Sequence, residues 1–342
     1  MHMSDALLSA ETAATFWLLS AGAVAVALRR TTHLPSSTIP MGSVLGAFLF
    51  AAQMINFAIP GTGSSGHLTG GMLLAILIGP YQALLAIGAV LTIQALFFAD
   101  GGLLALGANL FNMGVIPCLI VYPLLFQPLA GTQPQPGKQL RVITFLTALL
   151  ALLLGALAVV LETWFSGLTA LPLNTFLWSM GSIHLAIGVV EGIVTMTIVE
   201  LLLQARPQWS LAPETPSTPA WGKIPTRLAV AALLLATLLS WFASSDPDGL
   251  EWSVSRSTSQ HETPTTASPL HHMAANLQSH LAPMPDYAFP TDPNNPPEDK
   301  EKQWGSPDPA TSLAGVVGGL LTLVLLWSLF RLLQHKTTDK HP

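Results

Sequence analysis

Residues 68–98 read LTGGMLLAILIGPYQALLAIGAVLTIQALFF, 31 residues without a single charge. An α-helix rises 1.5 Å per residue, so about 20 apolar residues cross the hydrocarbon core of a bilayer. This run is too long for one crossing and too apolar for a soluble core helix. Gly79-Pro80 divides it. Proline lacks a backbone donor and clashes with the preceding turn, so a helix ends there and another begins. The same length criterion, carried outward, marks 12–28, 41–58, 103–126, 140–161, 179–203, 227–243 and 313–333. With the split run these predict an all-α integral membrane protein, a bundle of about nine transmembrane helices, seven plus two. The third of the nine is short or broken.

Composition agrees with this reading. Of 342 residues, 51% are hydrophobic and 9% charged, with a mean hydropathy of +0.54. Soluble domains carry about 25% charged residues. The 13 Lys and Arg against 18 Asp and Glu leave no basic excess for phosphate, which argues against nucleic acid as a partner. A single cysteine, Cys118, excludes an intramolecular disulfide framework and a multi-cysteine zinc site. Cations mark the cytoplasmic side of spans. Arg29 and Arg30 follow the first helix, so residue 1 is expected outside. Alternating nine helices then puts ten of the 13 cations in the cytoplasm, the other three being Arg256, Lys300 and Lys302. A count of eight or ten helices scatters them. The expected location is the bacterial inner (plasma) membrane, with the lipid bilayer itself a partner.

Two regions read as lying outside the bilayer. Residues 206–226, rich in proline and without periodicity, predict a cytoplasmic linker. Residues 246–311 hold eleven prolines, ten acidic residues and four histidines, a composition too polar to form a core of its own. The N-terminus lacks the basic region and small-residue cleavage site of a removable signal, so residue 1 is expected to stay on the protein.

The chain opens Met1-His2-Met3-Ser4-Asp5. A bulky second residue blocks removal of the initiator methionine, leaving a free amine once the formyl group is gone. The Met1 amine, the His2 backbone nitrogen and the His2 imidazole Nδ1 can close five- and six-membered chelate rings around one metal. Planar nitrogen ligation suits Ni(II) or Cu(II) and is poor for Mg, Ca or tetrahedral Zn. The backbone nitrogen must lose its proton, so affinity falls with pH. His67, in Gly63-Ser64-Ser65-Gly66-His67-Leu68-Thr69-Gly70-Gly71, lies on the same predicted face as Met1 and is the candidate fourth nitrogen. By themselves these residues leave the structural reading open, since an opening Met-His arises by chance and a histidine among glycines often serves the backbone.

Four stretches resemble the CbiM/NikM family of substrate-binding membrane components of energy-coupling-factor (ECF) nickel and cobalt transporters. They are Met1-His2-x3-Ala6-Leu7-Leu8-Ser9, then Ser64-Ser65-Gly66-His67-Leu68 with Gly79-Pro80. The third is Phe98-x-Asp100-Gly101-Gly102-x4-Gly107-Ala108-Asn109-x2-Asn112-Met113-Gly114, and the fourth His184-Leu185-Ala186-Ile187-Gly188-x2-Glu191-Gly192. The resemblance covers residues 1 to about 205 and implies metal ligation by Met1, His2 and His67. The family's usual apolar third residue is here Met3, whose side chain the chelate does not use. Asp246-Pro247-Asp248-Gly249-Leu250-Glu251-Trp252 resembles the PDGLE accessory module, which places its motif just outside one helix and ends on a second. The chain is therefore similar to NikMN-type fusions: a metal-binding domain 1–205, a linker 206–226 and a PDGLE-type module 227–342. The resemblance implies no enzyme and no organic cofactor, with Ni(II) or Co(II) as transported substrate. It implies ATPase subunits and a membrane coupling (T) subunit of the CbiO/NikO and CbiQ/NikQ type as partners. No Gly-x4-Gly-Lys-Ser/Thr loop is present in the chain.

Other polar residues carry two readings each. Gln94, Asp100, Asn109 and Asn112 either shape the loop that closes over the metal or bond neighbouring helices. His184 and Glu191, seven apart, share a helix face. Glu191 either pairs with His184, contacts the energising partner, or packs internally. His261, His271, His272 and His280 either collect metal at the mouth or are solvated. Met54, Met72 and Met113 read as packing rather than Cu(I) ligands. Small residues at Gly42 and Gly46, and at Ala21 and Ala25, permit close helix contact, internal or with a partner. Competing functions are cobalt uptake for cobalamin synthesis, an ATPase-independent metal permease, and a haem-bearing oxidoreductase using His67 and His184.

Overall fold

A computed structural model describes residues 1–31, 39–131, 134–169, 171–205, 222–258, 268–290 and 304–338. His261 and residues 206–221 of the expected linker lie outside these. Eleven α-helices and one small hairpin make up the described fold: α1 Ala10–Thr31, α2 Ile39–Gln53, β1 Phe57–Ile59, β2 Ser64–Gly66, α3 Gly71–Ile78, α4 Pro80–Phe98 and α5 Leu106–Ala130. There follow α6 Lys138–Ser166, α7 Leu173–Ala205, α8 Ile224–Thr237, α9 Gly249–Ser257, α10 Pro269–Leu281 and α11 Pro309–Thr338.

Nine of these are the helices expected from the sequence, and α1, α4, α5, α6, α7 and α11 are long and apolar enough to cross a membrane. Helices α2 and α8 are shorter, at 15 and 14 residues. The break at Gly79-Pro80 is where the sequence puts it, with Pro80 in the first turn of α4. Its consequence is geometric. Eight residues of α3 span only about 12 Å, so they cover part of the bilayer and the chain before them must dip into the bundle. That chain is the β1–β2 hairpin and Gly66-His67-Leu68-Thr69-Gly70. Helix α5 is wound as a π-helix from Phe111 to Phe126, around Pro117 and Pro123. Wider turns place the missing proline donors without breaking the helix.

The two ends of the bundle differ in chemistry. At one end the Arg30 guanidinium lies over the Tyr81 ring, and Arg141 bonds Glu200 to tie α6 to α7. At the other end Met1, Asp100 and Asp248 come together. The C-terminal module is not a separate body. Its helices α8 and α11 pack on α2. Gly42 and Gly46 of α2 face Phe330 and Leu326 of α11, so that small-residue pair serves internal packing, whereas Ala21 and Ala25 on α1 are exposed. The outer region of the module also holds more structure than its composition suggests. Helix α9 buries Gly249, Leu250, Ser253 and Ser257, and α10 buries His271 and Ala274. The reason is that these helices need no core of their own: α9 puts Leu250 into the bundle's core, and α10 lies against α4.

Candidate metal site

The first eight residues enter the bundle instead of trailing from it. Met3 is fully buried, and Asn109 clamps its backbone: the Met3 N–H donates to Asn109 Oδ1 at 2.8 Å, and Asn109 Nδ2 donates to the Met3 carbonyl at 3.2 Å. The Gly102 N–H adds a bond to that carbonyl at 2.9 Å. Asp5 accepts from the Ala105 N–H at 2.9 Å. Burial raises the Asp5 carboxyl above the usual range, against hydrogen bonds from Ala105 and its neighbours. One turn along α5 from Asn109, Asn112 Nδ2 donates to Glu162 at 2.8 Å and touches the Met3 sulfur at 3.9 Å. The Met3 side chain therefore packs in the interior while its backbone is held by Asn109.

This seating puts the Met1 amine 3.4 Å from His67 Nε2 and stacks the His2 ring on the His67 ring, centroids 5.0 Å apart and 10° from parallel. His67 Nδ1 lies 3.1 Å from the Leu68 carbonyl, which fixes the proton there and leaves Nε2 as a lone-pair donor toward the amine. Burial first, then the charge of the amine and the nearness of His2, push the His67 imidazole down to about 3. His67 is thus neutral over the whole physiological range. His2 Nδ1 lies 3.0 Å from Asp100 Oδ1, while His2 Nε2 is buried without a partner. Closing the six-membered chelate ring through Nδ1 requires the imidazole to leave Asp100. Burial raises the Asp100 carboxyl, but the charge of and hydrogen bond from His2, with the Tyr287 hydroxyl at 2.5 Å, outweigh it and hold it well below the usual range.

The other sequence candidates support the loop. Glu191 does not pair with His184. Its carboxylate accepts from the Thr69 N–H at 2.7 Å, the Gly70 N–H at 2.8 Å and the Thr69 hydroxyl at 2.9 Å. An anion at the N-terminus of α3 satisfies donors that the helix itself cannot. Gln94 donates to Gln53 at 2.9 Å, and Gln53 to the Thr69 carbonyl at 3.0 Å, so the segment after His67 is held from two sides. His184 donates from Nδ1 to the Met180 carbonyl at 2.9 Å and lies under the module's motif, near Gly249. A Cβ on Gly249 would stand 2.9 Å from Ile187 and 3.1 Å from His184, and one on Gly66 would stand 2.5 Å from Ile187. Glycine at both places lets the motif and the His67 loop close on one isoleucine. His271 meets the Leu8 carbonyl at 2.9 Å, a packing role, while His272 and His280 are exposed. Met54, Met72 and Met113 are core residues.

The sequence reading missed Asp248, Tyr287, Gln53 and Glu162 as participants. Asp248-x-x-Glu251 is a capping-box pattern and was findable. Tyr287 reaches Asp100 from a segment with no motif, and no local signal marks it. Among the described residues, no three or more His, Cys, Asp or Glu side chains gather as a metal-holding group. What gathers instead is an amine and two imidazoles, flanked by two carboxylates.

One end of this membrane bundle brings the chain's own amine to a pair of histidines. The family described as the cobalt uptake substrate-specific transmembrane region, CbiM, matches residues 2–209, and the PDGLE domain matches residues 223–335. The chain belongs to the CbiM family, carries a PDGLE module, and is a multi-pass membrane protein. It is 38% identical over 208 residues to a putative metal transport protein of Haloquadratum walsbyi, covering 60% of this chain and 92% of that one. It is 29% identical over 336 residues to the putative fused nickel transport protein NikMN of Archaeoglobus fulgidus, covering 97% and 98%. A crystal structure of a truncated transition metal transporter superposes with a TM-score of 0.53 at 29% identity, covering 60% of this chain and 99% of that one.

Proposed function

We propose that this chain is the substrate-specific component of an ATP-driven ECF transporter that captures Ni(II), with Co(II) as the alternative cargo, at the extracytoplasmic face. The metal is held by the Met1 amine, the backbone and imidazole nitrogens of His2, and His67 Nε2. One observation carries this reading: residues 66 apart in sequence bring the amine within 3.4 Å of a neutral histidine whose other nitrogen is already committed. Nickel is favoured because planar nitrogen ligation suits it and because relatives of matching domain organisation are named for nickel. Energy comes from separate ATPase subunits through a coupling membrane protein, since the chain has no phosphate-binding loop of its own.

Titration of the purified chain with Ni(II), Co(II), Cu(II) and Zn(II), alongside His67→Ala, tests the site. His67→Ala removes a direct ligand and is expected to weaken Ni(II) binding by about a hundredfold or more, since even an outer partner of a ligand contributes about tenfold to a hundredfold. Parental affinity in that variant overturns the assignment. Uptake that persists in cells lacking every partner ATPase overturns the coupling and favours an independent permease.

The pH dependence follows from the same geometry. His67, whose imidazole burial pushes down to about 3, releases no proton on binding. Protons leave from the Met1 amine and the His2 backbone nitrogen, and from the His2 imidazole wherever it carries one, so log K for Ni(II) falls by at least about one per pH unit of acidification. Calorimetry in buffers of different ionisation enthalpy reads the proton count directly, and an affinity independent of pH between 6 and 8 refutes the backbone ligand.

A further inference from the structure

The loop Asp246-Pro247-Asp248-Gly249 of the C-terminal module reaches across to the N-terminal amine. Asp248 Oδ2 lies 3.1 Å from the Met1 nitrogen. Its position is fixed on every side. Asp248 Oδ1 accepts from the Glu251 N–H at 2.8 Å, and Glu251 answers by accepting from the Asp248 N–H at 3.2 Å. The Ser65 N–H donates to the Pro247 carbonyl at 2.8 Å, and the Ser65 hydroxyl to the Asp246 carbonyl at 2.8 Å, two residues before His67. The Trp252 indole donates to the Thr62 carbonyl at 3.0 Å, in the turn of the same hairpin. The side chain of Asp248 is only 18% exposed. Burial opposes its charge, but the amine and the Glu251 N–H hold the carboxyl down at about 2.

We propose that Asp248 is a further metal ligand, its Oδ2 taking the open position above the nitrogen plane formed by Met1, His2 and His67. This rests on that nitrogen plane being the site. Two donors bound side by side to one first-row dication at about 2.0–2.2 Å stand about 3 Å apart, which matches the distance from Oδ2 to the amine. When the amine releases its proton to water and binds the metal, Oδ2 loses the charge it faces and the metal supplies another. A dication, one deprotonated backbone nitrogen and the Asp248 carboxylate sum to zero, with the Asp100 carboxylate bonded to the Tyr287 hydroxyl. Asp100 faces the His2 ring through Oδ1 and the Tyr287 hydroxyl through Oδ2, whereas Asp248 Oδ2 already faces the amine itself.

The test uses the full-length purified chain titrated with Ni(II), with affinity and the visible d–d spectrum as readouts. Asp248→Asn and Asp248→Ser both retain a side chain able to cap α9, so the loop stays seated while the carboxylate is gone. Each is expected to weaken Ni(II) by tenfold or more and to shift the d–d band toward that of a four-coordinate planar complex. An unchanged spectrum overturns ligation whether or not affinity falls, because a carboxylate acting only as a counter-charge leaves the ligand field intact. His67→Ala run beside them separates the two ideas. If it binds poorly while both Asp248 variants match the parent, Asp248 alone is excluded; if it binds as well as the parent, the nitrogen site falls too.

Discussion

A chain carrying one extra residue ahead of Met1 is expected to lose Ni(II) affinity by a hundredfold or more, although every original side chain remains. The added residue converts the Met1 amine into an amide nitrogen and carries the new amine about 3.5 Å further along the chain. The amine can then no longer close the five-membered ring with the His2 nitrogen, and the chelate opens at its first donor. There is also no room for it. Met1 is 5% exposed, its nitrogen sits between His67 and Asp248, and Asn109 pins Met3 two residues later. Two decades of affinity correspond to about 2.8 kcal/mol, a modest demand for losing one ring of a chelate. Competition against a chromophoric chelator measures the loss, with circular dichroism and thermal unfolding in detergent confirming that the bundle is intact. An extended chain that binds within threefold of the parent removes the amine from the site.

Glu191→Ala is the second large effect, and its route is indirect. The carboxylate receives three hydrogen bonds from Thr69 and Gly70 at the start of α3. Removing it leaves two backbone donors and a hydroxyl buried in the bundle with no water to turn to. Hydrogen bonds to a charged acceptor contribute about 1.5–3 kcal/mol each, and the stranded donors cost as much again in an apolar setting. A loss of about 3–5 kcal/mol of stability is expected, together with weaker metal binding because Thr69 lies two residues after His67. Glu191→Gln, which keeps one acceptor oxygen, should recover part of both. Thermal unfolding in detergent reads the first effect and metal titration the second. If Glu191→Ala unfolds like the parent but fails only in the assembled transporter, then Glu191 serves the partner interface instead.

Much of this was legible from residues 68–98 outward. Hydrophobic length and Gly79-Pro80 determine the helix count, because in lipid the backbone must be satisfied within helices and sequence length maps directly onto thickness. The opening Met-His and the Ser-Gly-His loop pick out groups that do meet at one end of the bundle, though the residues alone leave a structural role open and only the resemblance points to ligation. What the sequence could not show is how the polar residues are paired. Asn109 with Met3, Glu191 with Thr69 and Gly70, and Asp100 with Tyr287 join positions 106, 122 and 187 apart. Such pairings depend on how helices pack, and no local period encodes them. The outer region misled in the opposite way. Its polar composition argues against a core, which holds for an isolated segment and fails for α9 and α10, which rest on a core already built.

The burial of Met1 beneath Asp248 also imposes an order on biosynthesis. Met1 is translated 247 residues ahead of its eventual cover. At about 5–20 residues per second that interval is roughly 12–50 s. A deformylase acting on the nascent chain has that window, before the last two membrane helices insert and the loop between them closes over the amine. A formyl group still present at closure would remove the amine that Asp248 pairs with. The cover over the amine thus comes from the C-terminal module, which is translated after the domain it covers.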